Sequence, residues 1–480
     1  MNNVIKERKA NLINIKYIRR EIERFKASRE YKDMQKGDRY FNGDHDILKR
    51  KREAVGEDGE LHEVSNLVNN KVIDNQYEKM VIQKTNYLLG QPITIKCEDE
   101  HYVNLVTTQL LTKNFQRLMN TVGQDAMNFG KTWLYCYYDE VGEFKLKEFK
   151  GYECIPSWLD QEHTELDYLI RTYDVIKVDE RDNEKTVTKV DVYTTDGIFH
   201  YTTENGTLEA DTPFMDSYFK LGKTSYSWQK LPLICFKYNA KEIPLIRRCK
   251  SLQDGLNVIL SNFQNNMEED PRNTILILKN YDGENLGEFR KNLNTYGAVK
   301  VASYDGSQGG VETLQIQVNA DNYKAIVDMF KKAIVENCKG YDAKDERMSG
   351  TPNQMNIQSM YSDIDLDANG METEFQASFE ELLYFFNCHL ANTGQGNYFN
   401  TPVEVIFNRD ILINESEAID NCAKSVGILS NETIVAMHPW TTNIDEELER
   451  IKAEREESMN DGLNGMFNQT NDDESMMNNE

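Results

Sequence analysis

Three groups of residues have types and spacings that could do chemistry. Gly130-Lys131-Thr132 ends like a phosphate-binding loop, in which backbone amides cradle a phosphate while the lysine neutralises it. The full pattern requires glycine five residues earlier, where Asp125 stands, and an acidic side chain there opposes a phosphate. The run also precedes a strand-like stretch instead of joining a strand to a helix. Asp365, Asp367, Asn369 and Gly370, with Asp363 ahead of them, match the opening of a calcium-binding loop. At the position of its closing bidentate glutamate stands Gln376, and acidic Glu372 fills a place that is usually apolar. The seven histidines (His45, His62, His101, His163, His200, His389, His438) form no HxH or HExxH cluster, and no Ser, Cys or Asp lies in a nucleophile signature. His389, between Cys388 and Leu390, reads as a core or interface residue. No catalytic, cofactor-binding or metal-binding residue is assigned, although a site assembled from distant residues stays open.

The elements that would have to position such groups follow from periodicity. Ile15, Ile18, Ile22 and Phe25 recur at helical spacing among Arg and Lys, and a turn is expected at Asn42-Gly43. Ser65 or Asn66 is expected to cap a helix carrying Ile73, Tyr77, Val81 and Leu88, which Gly90 and Pro92 stop. A further helix is expected from about Tyr102 to Phe129, ended by Gly130. From Trp133 to Tyr238 short runs rich in Tyr, Val and Ile read as a β-rich region: a hairpin at WLYCYYDEVGEFKLKEF, a turn at Asn205-Gly206, and LPLICFKY as its last strand.

Helical spacing returns over Leu245 to Glu268, a rod of roughly 36 Å at 1.5 Å per residue. A small α/β insert follows, with strands at NTILIL, AVKVA and Leu314 to Val318 and a short helix at Leu286, Phe289 and Leu293. Tyr323, Ile326, Val327, Phe330 and Ile334 mark the next helix, which Gly340 and the polar stretch GYDAKDERMSGTPNQMN interrupt. A loop of that length inside a compact protein points to function or disorder. Another long helix is expected from Gln358 to about Asn392, with Gly370 as a kink, then a strand at TPVEVIF, a helix capped by Ser430 and stopped by Pro439, and a charged helix at NIDEELERIKAERE. Residues 459–480, rich in Asn, Asp, Glu and Met, read as a disordered acidic tail.

Composition bounds the class. At 480 residues with 39% hydrophobic and 28% charged residues the chain has material for several cores, which excludes collagen-like and wholly disordered classes. No apolar stretch approaches the roughly 18 to 20 residues that span a bilayer, and the charged start MNNVIKERKANLINIKYIRR is not a secretion signal. The eight cysteines show no CxxC pair, so a reducing cytosol is expected. Net charge is −25, the wrong sign for coating phosphates, and it is uneven: residues 1–52 hold 16 Lys/Arg against 8 Asp/Glu, whereas Trp440 to Glu480 hold 3 against 12. Such asymmetry fits contact between subunits or partners as well as plain solvated faces.

The order of pieces resembles that of the portal proteins of tailed bacteriophages, in particular the type of long-tailed phages of Gram-positive hosts. The resemblance runs collinearly from Tyr31 to Glu457 through YKDMQKGDRYFNGDHDILKRKR, NLVNNKVIDNQYEKMVIQKTNYLLGQPI, DAMNFGKTWLYCYYDEVGEF with YECIPSWLD, LPLICFKYN, CKSLQDGLNVILSNFQNNMEED, SGTPNQMNIQSMYSDIDLDANGMETEF and LSNETIVAMHPWTTNIDEELERI. It implies a helix-rich α+β portal fold: a wing over 1–243, stem helices at 244–269 and 321–339 flanking an α/β clip at 270–320, and a tunnel loop at 340–356. A long wing helix with return strand at 357–413, a helical crown at 414–458 and the tail complete it. It also implies a ring of about twelve copies at one capsid vertex, a virion component made in the host cytoplasm and not an enzyme. Expected partners are double-stranded DNA passing without sequence specificity, the large terminase subunit, head-completion or adaptor proteins, and major capsid and scaffolding proteins, with no membrane and no cofactor. By this resemblance Lys339, Lys344, Arg347, Met348 and Asn353 are tunnel-loop candidates, and Lys331 and Lys332 are DNA-facing candidates on the second stem helix. Tyr323, Ile326, Phe330 and Ile334 are subunit-interface candidates, and Asn280, Tyr281, Arg290 and Tyr304 are clip docking candidates. A nucleotide- or metal-dependent enzyme acting on DNA, or a capsid adaptor without a channel, are the alternatives left open.

Overall fold

The computed structural model describes residues 14–55, 59–63, 68–178, 182, 184–204, 207–221, 224–269, 275–279, 310–314, 320–342, 354–409, 414–441, 443–444 and 446–456. Local capping sets the start. Asn14 accepts from the Lys16 amide to open α1 (Ile15–Ala27), and Ser28 both ends α1 and caps α2 (Arg29–Phe41) through the Tyr31 amide. The expected turn at Asn42-Gly43 follows, and a small antiparallel hairpin, β1 (Glu53–Val55) with β2 (Leu61–Glu63), comes next. α3 spans Gln76–Leu89 and is capped by Asn75, ten residues beyond Ser65. The expected start was wrong because the amides of Asn70, Val72 and Asp74 donate to side chains of a later helix instead of to helix carbonyls.

β3 (Thr94–Lys96) leads into what was read as one helix but is two. α4 (Glu100–Leu105) widens into a π-turn at Val106–Leu110, and Thr112, in extended backbone, caps α5 (Lys113–Phe129) by accepting from the Phe115 amide. Gly130 then takes φ +85°, the left-handed conformation that terminates a helix cheaply only with glycine.

The β-rich region divides into two larger sheets and a two-stranded ribbon. β4 (Lys131–Tyr138) and β5 (Phe144–Phe149) form the expected hairpin. β6 (Cys154–Trp158), β7 (Leu166–Val178), β8 (Glu184–Thr194), β9 (Gly197–Glu204) and β10 (Thr207–Asp216) make a five-stranded antiparallel meander, ordered β10-β9-β8-β7-β6. A two-stranded ribbon, β11 (Phe219–Leu221) with β12 (Thr224–Tyr226), precedes β13 (Leu233–Lys237). β13 does not extend the meander; it returns to pair with β4, Leu233 opposite Tyr135, leaving β4 central in a three-stranded sheet. Trp133, Leu134, Cys136, Ile234 and Phe236 are buried on both faces of that sheet, the reason a near-continuous apolar run belongs there.

α6 (Ile246–Glu269) matches the expected rod. β14 (Ile275–Lys279) pairs antiparallel with β15 (Gly310–Leu314), which lies four residues before the strand expected at Leu314 to Val318, and α7 (Ala320–Asn337) follows. The other expected insert elements lie outside the described residues. α8 (Gln354–Asn392) runs unbroken for 39 residues, about 58 Å at 1.5 Å per residue, helical through Gly370. β16 (Glu404–Ile406) pairs with β3, α9 (Glu415–Lys424) is capped by Asn414, and α10 (Asn431–Met437) starts at Ser430 as expected. Residues 446–456 are helical.

The chain forms two compact units, one of residues 1–340 and 364–410, the other of 341–363 and 411–480. In the larger, Phe375, Phe379 and Phe386 of α8 pack with α3, α5 and the three-stranded sheet, each fully buried ring contributing about 1.5 to 3 kcal/mol. A second cluster sets Ile18, Phe25 and Met34 of α1 and α2 against Ile170, Val190, Val192 and Tyr201 of the meander. In the smaller unit Gln354 and Glu417 are tied by the Gln354 amide donating to Glu417 at 2.9 Å, and Tyr341 stacks on Tyr361 at 4.6 Å. No described helix is long and apolar enough to cross a membrane.

Candidate functional site at the paired helices

α6 and α7 bracket residues 270–319 and lie antiparallel. A Cβ on Gly255 would stand 2.6 Å from the Phe330 ring, so the absent side chain is what lets the helices close there. Eight residues on, Phe263 meets Tyr323 at 4.8 Å between centroids, and the Asn266 side chain donates to the Tyr323 hydroxyl at 3.1 Å. Much of the apolar stripe on α7 is therefore used inside the chain. Ile334 is fully buried and Tyr323 and Phe330 partly so, whereas Ile326 is 38% and Met329 60% exposed. A stripe at helical spacing says only that something covers it, and here α6 of the same chain covers the Phe330 side.

Of the basic candidates, Lys331 pairs with Asp74 at 2.7 Å and Lys332 is exposed. Lys339 takes φ +53° just past the end of α7; its carbonyl accepts from Lys84 at 3.2 Å and its ammonium lies 3.7 Å from Asp367. Lys344, Arg347, Met348 and Asn353, and likewise Asn280, Tyr281, Arg290 and Tyr304, lie outside the described residues.

Sequence reasoning missed the other face of α6. Gln253, Asn257, Ser261 and Asn265, four residues apart, are all fully buried. Together they hold the extended chain before α3 and the first turn of α3 itself. Gln253 accepts from the Tyr77 amide at 3.1 Å and donates to the Asp74 carbonyl at 2.7 Å. Asn257 accepts from the Asp74 amide at 3.2 Å, Ser261 from Val72 at 2.9 Å and Asn265 from Asn70 at 2.7 Å. Asn257 also donates to His45 Nδ1 at 2.8 Å, which leaves Nε2–H to donate to the Tyr40 carbonyl at 3.0 Å. Burial lowers the His45 pKa, in keeping with that neutral tautomer. Each such bond contributes about 1 kcal/mol net, and leaving a buried amide unmade costs about 1 to 3. The signal was visible as a polar residue at every fourth position, but polar stripes are ordinarily solvated.

At the base of the pair lies an ion cluster. Asp367 of α8 accepts from Lys84 of α3 at 2.7 Å, from Arg248 of α6 at 2.9 Å, and from the Tyr238 hydroxyl. Burial alone would raise its carboxyl, but the Lys84 charge and these hydrogen bonds outweigh that and hold it down at about 2. Three helices, Tyr238 just past β13 and the residues after α7 thus meet on one carboxylate, directly before Gly340. A Cβ on Gly340 would strike the Met80 sulfur at 2.6 Å.

The tempting motifs are spent on the fold. Gly130 caps α5, Lys131 is 3% exposed between Glu242 at 2.5 Å and Glu30 at 2.9 Å, and Thr132 donates to the Phe149 carbonyl at 3.1 Å. Asp365, Asn369 and Glu372 lie on α8 and are gathered by Arg409, a helical arrangement unable to wrap one cation as a loop does. Among the described residues no cluster of three or more His, Cys, Asp or Glu is placed to hold a metal. His389 is half-buried against Phe144 at 5.5 Å and Tyr138 at 5.6 Å, and burial lowers its pKa, which favours the neutral ring.

The portal protein of Bacillus phage SPP1 is 27% identical over 429 residues, covering 88% of this chain and 83% of the relative. The portal protein of Clostridium phage phiCD119 is 26% identical over 434 residues, covering 88% and 92%. Among solved structures, a chain from the neck of an empty GTA particle aligns with a TM-score of 0.42 at 10% identity, over 76% of this chain and 90% of that one. The family model described as phage portal protein, SPP1 Gp6-like, matches residues 25–461, nearly the whole described chain, and the protein therefore belongs to the phage portal family.

Proposed function

We propose that about twelve copies close into a ring at the unique capsid vertex, forming the channel through which the terminase motor drives DNA in and from which DNA later leaves. The observation that carries this reading is the family match over residues 25–461. The antiparallel pair α6 and α7, holding 270–319 between its ends, supports it: the pair is the stem and the insert the clip, offered to the terminase and then to head-completion proteins through Asn280, Tyr281, Arg290 and Tyr304. The stretch from Gly340 to the start of α8 at Gln354, three residues shorter than the expected 340–356, is the tunnel loop, with Lys344, Arg347, Met348 and Asn353 toward DNA. Residues 1–243 and 357–413 are the wing and 414–458 the crown, which meet capsid and scaffolding proteins.

The ring is a conduit and carries out no catalysis. At −25 per chain its wall repels phosphates, so DNA slides instead of adhering, while sparse cations such as Lys332 and Lys339 make brief backbone contacts. Ile326 and Met329, left exposed by α6, are the part of the α7 stripe offered to a neighbouring subunit.

Electron microscopy of the purified protein, with particle mass measured alongside, tests the proposal. The expected result is an open ring near 670 kDa, about twelve times the 55.8 kDa chain. A compact oligomer without a hole would refute it.

A further inference from the structure

The outward face of α1 is unlike the rest of this acidic chain. Its inward residues Ile18 and Phe25 pack on the meander, while Lys16, Arg19, Arg20, Arg24 and Lys26 point to solvent. The arginine side chains are 61%, 71% and 77% exposed. Among the described residues the acids paired with them are Glu23, with Arg19 at 2.8 Å, and Glu21, buried beneath Arg24 at 2.6 Å, so these seven side chains of the helix keep a net charge of +3, five cations less two carboxylates. At 13 residues α1 is about 20 Å long, the span of some six phosphates at 3.4 Å along one DNA strand.

We infer that this face binds the phosphodiester backbone of double-stranded DNA, without sequence preference, on the outside of the protein and apart from any channel. The chemistry favours a polyelectrolyte over a protein partner. Protein interfaces are anchored by buried apolar or aromatic side chains, and this face offers only Ala27 and the edge of Ile15, 37% exposed. Tyr17, its one aromatic group, is held by its hydroxyl to that of Tyr168 at 2.7 Å and is not free to stack on a base. Cations without apolar anchors or base-reading groups bind by releasing counterions from phosphates.

The experiment uses the full-length protein and covalently closed circular plasmid, which has no end to thread into a ring, in gel shift from 50 to 200 mM NaCl. Three neutralised phosphates give a slope of about −2.7 in log K against log salt, a loss of roughly 40-fold across that range. The combined variant Lys16→Gln, Arg20→Gln, Lys26→Gln is expected to lower affinity at 50 mM at least about tenfold and to flatten the slope toward zero. Lys145→Gln with Lys147→Gln, on the exposed side of β5, should leave both unchanged. Absence of plasmid binding by the unaltered protein, or equal binding by the triple variant, overturns the inference. Displacement of plasmid by polyglutamate at equal charge concentration overturns it in favour of an acidic polypeptide ligand. Circular dichroism shows that the variant is folded, and micrographs of the same samples report ring closure separately, so failure here and failure of the portal reading are distinguishable.

Discussion

Replacing Asp367 with Asn tests whether the ion cluster holds the base of the helix pair. The substitution keeps the shape and removes the one negative charge that Lys84 and Arg248 share. Lys84 is 3% exposed and cannot reach water, whereas Arg248, at 30%, can turn outward. Removing one partner of a buried pair costs about 3 to 5 kcal/mol, and with only Lys84 stranded the lower end, about 3, is expected. The pH dependence has a definite sign. The Asp367 carboxyl lies at about 2 in the folded protein against an ordinary value near 3.9. Its contribution is therefore complete above about pH 4 and is lost as pH falls toward 2, some 2 to 3 kcal/mol for the two-unit difference. Urea unfolding of the full chain at pH 7 and at pH 3, at one protein concentration because association adds to apparent stability, measures both. Asp367→Asn should lower the midpoint at pH 7 and lose less of its stability than the unaltered protein on going to pH 3. Lys84→Met combined with Asp367→Asn should be less destabilised than the sum of the single changes by about 2 kcal/mol. An unchanged midpoint in Asp367→Asn, or strict additivity in the double variant, would falsify the structural role.

Four further outcomes are expected. Ile326→Asp, on the exposed part of α7, should leave the far-ultraviolet spectrum intact and abolish rings in micrographs, whereas Phe330→Asp, set against Gly255, should loosen the helix pair itself by about 2 kcal/mol or more; intact rings with Ile326→Asp would remove that residue from the interface. Asn257→Ala strands the Asp74 amide and His45, costs about 1 to 3 kcal/mol, and should speed hydrogen exchange of the amides of Val72 to Tyr77, so unchanged exchange there counts against the polar spine. Burial pushes the Asp125 and Glu148 carboxyls well above the usual carboxylate range, and the Asp125 charge adds to the rise at Glu148, so the folded protein loses stability as pH rises above about 4; Glu148→Gln should have the higher melting temperature at pH 9 and a smaller difference at pH 5, and parallel curves would refute the pair. Deleting residues 344–350 should permit ring assembly but reduce the yield of packaged DNA, and a normal yield would show that this stretch is not needed in the tunnel.

What could be read from the chain alone followed local rules. The apolar spacing of α6, the cap at Ser430, the turn at Asn42-Gly43 and the hairpin after Lys131 each depend on residues within one or two turns of one another, where periodicity and capping operate. The family was legible for a different reason: collinear order over most of the chain survives even where no segment is decisive.

Tertiary structure decided which partner satisfies each group. Nothing near Ser65 shows that the amides after it belong to side chains of α6, nearly 200 residues later, so the start of α3 was misplaced. The break at Thr112 was likewise missed, because the apolar residues on either side of it keep helical spacing. The stripe at Tyr323, Phe330 and Ile334 looked free for a neighbour until Gly255 was seen to admit Phe330. Lys131 and Asp367 carried motif-like contexts, and only the fold shows them neutralised by Glu30 and Glu242 and by Lys84 and Arg248. A local pattern states that a side chain needs covering or a charge needs pairing, and long-range packing names the group that does it, because burial and dielectric belong to the folded arrangement and not to the sequence window.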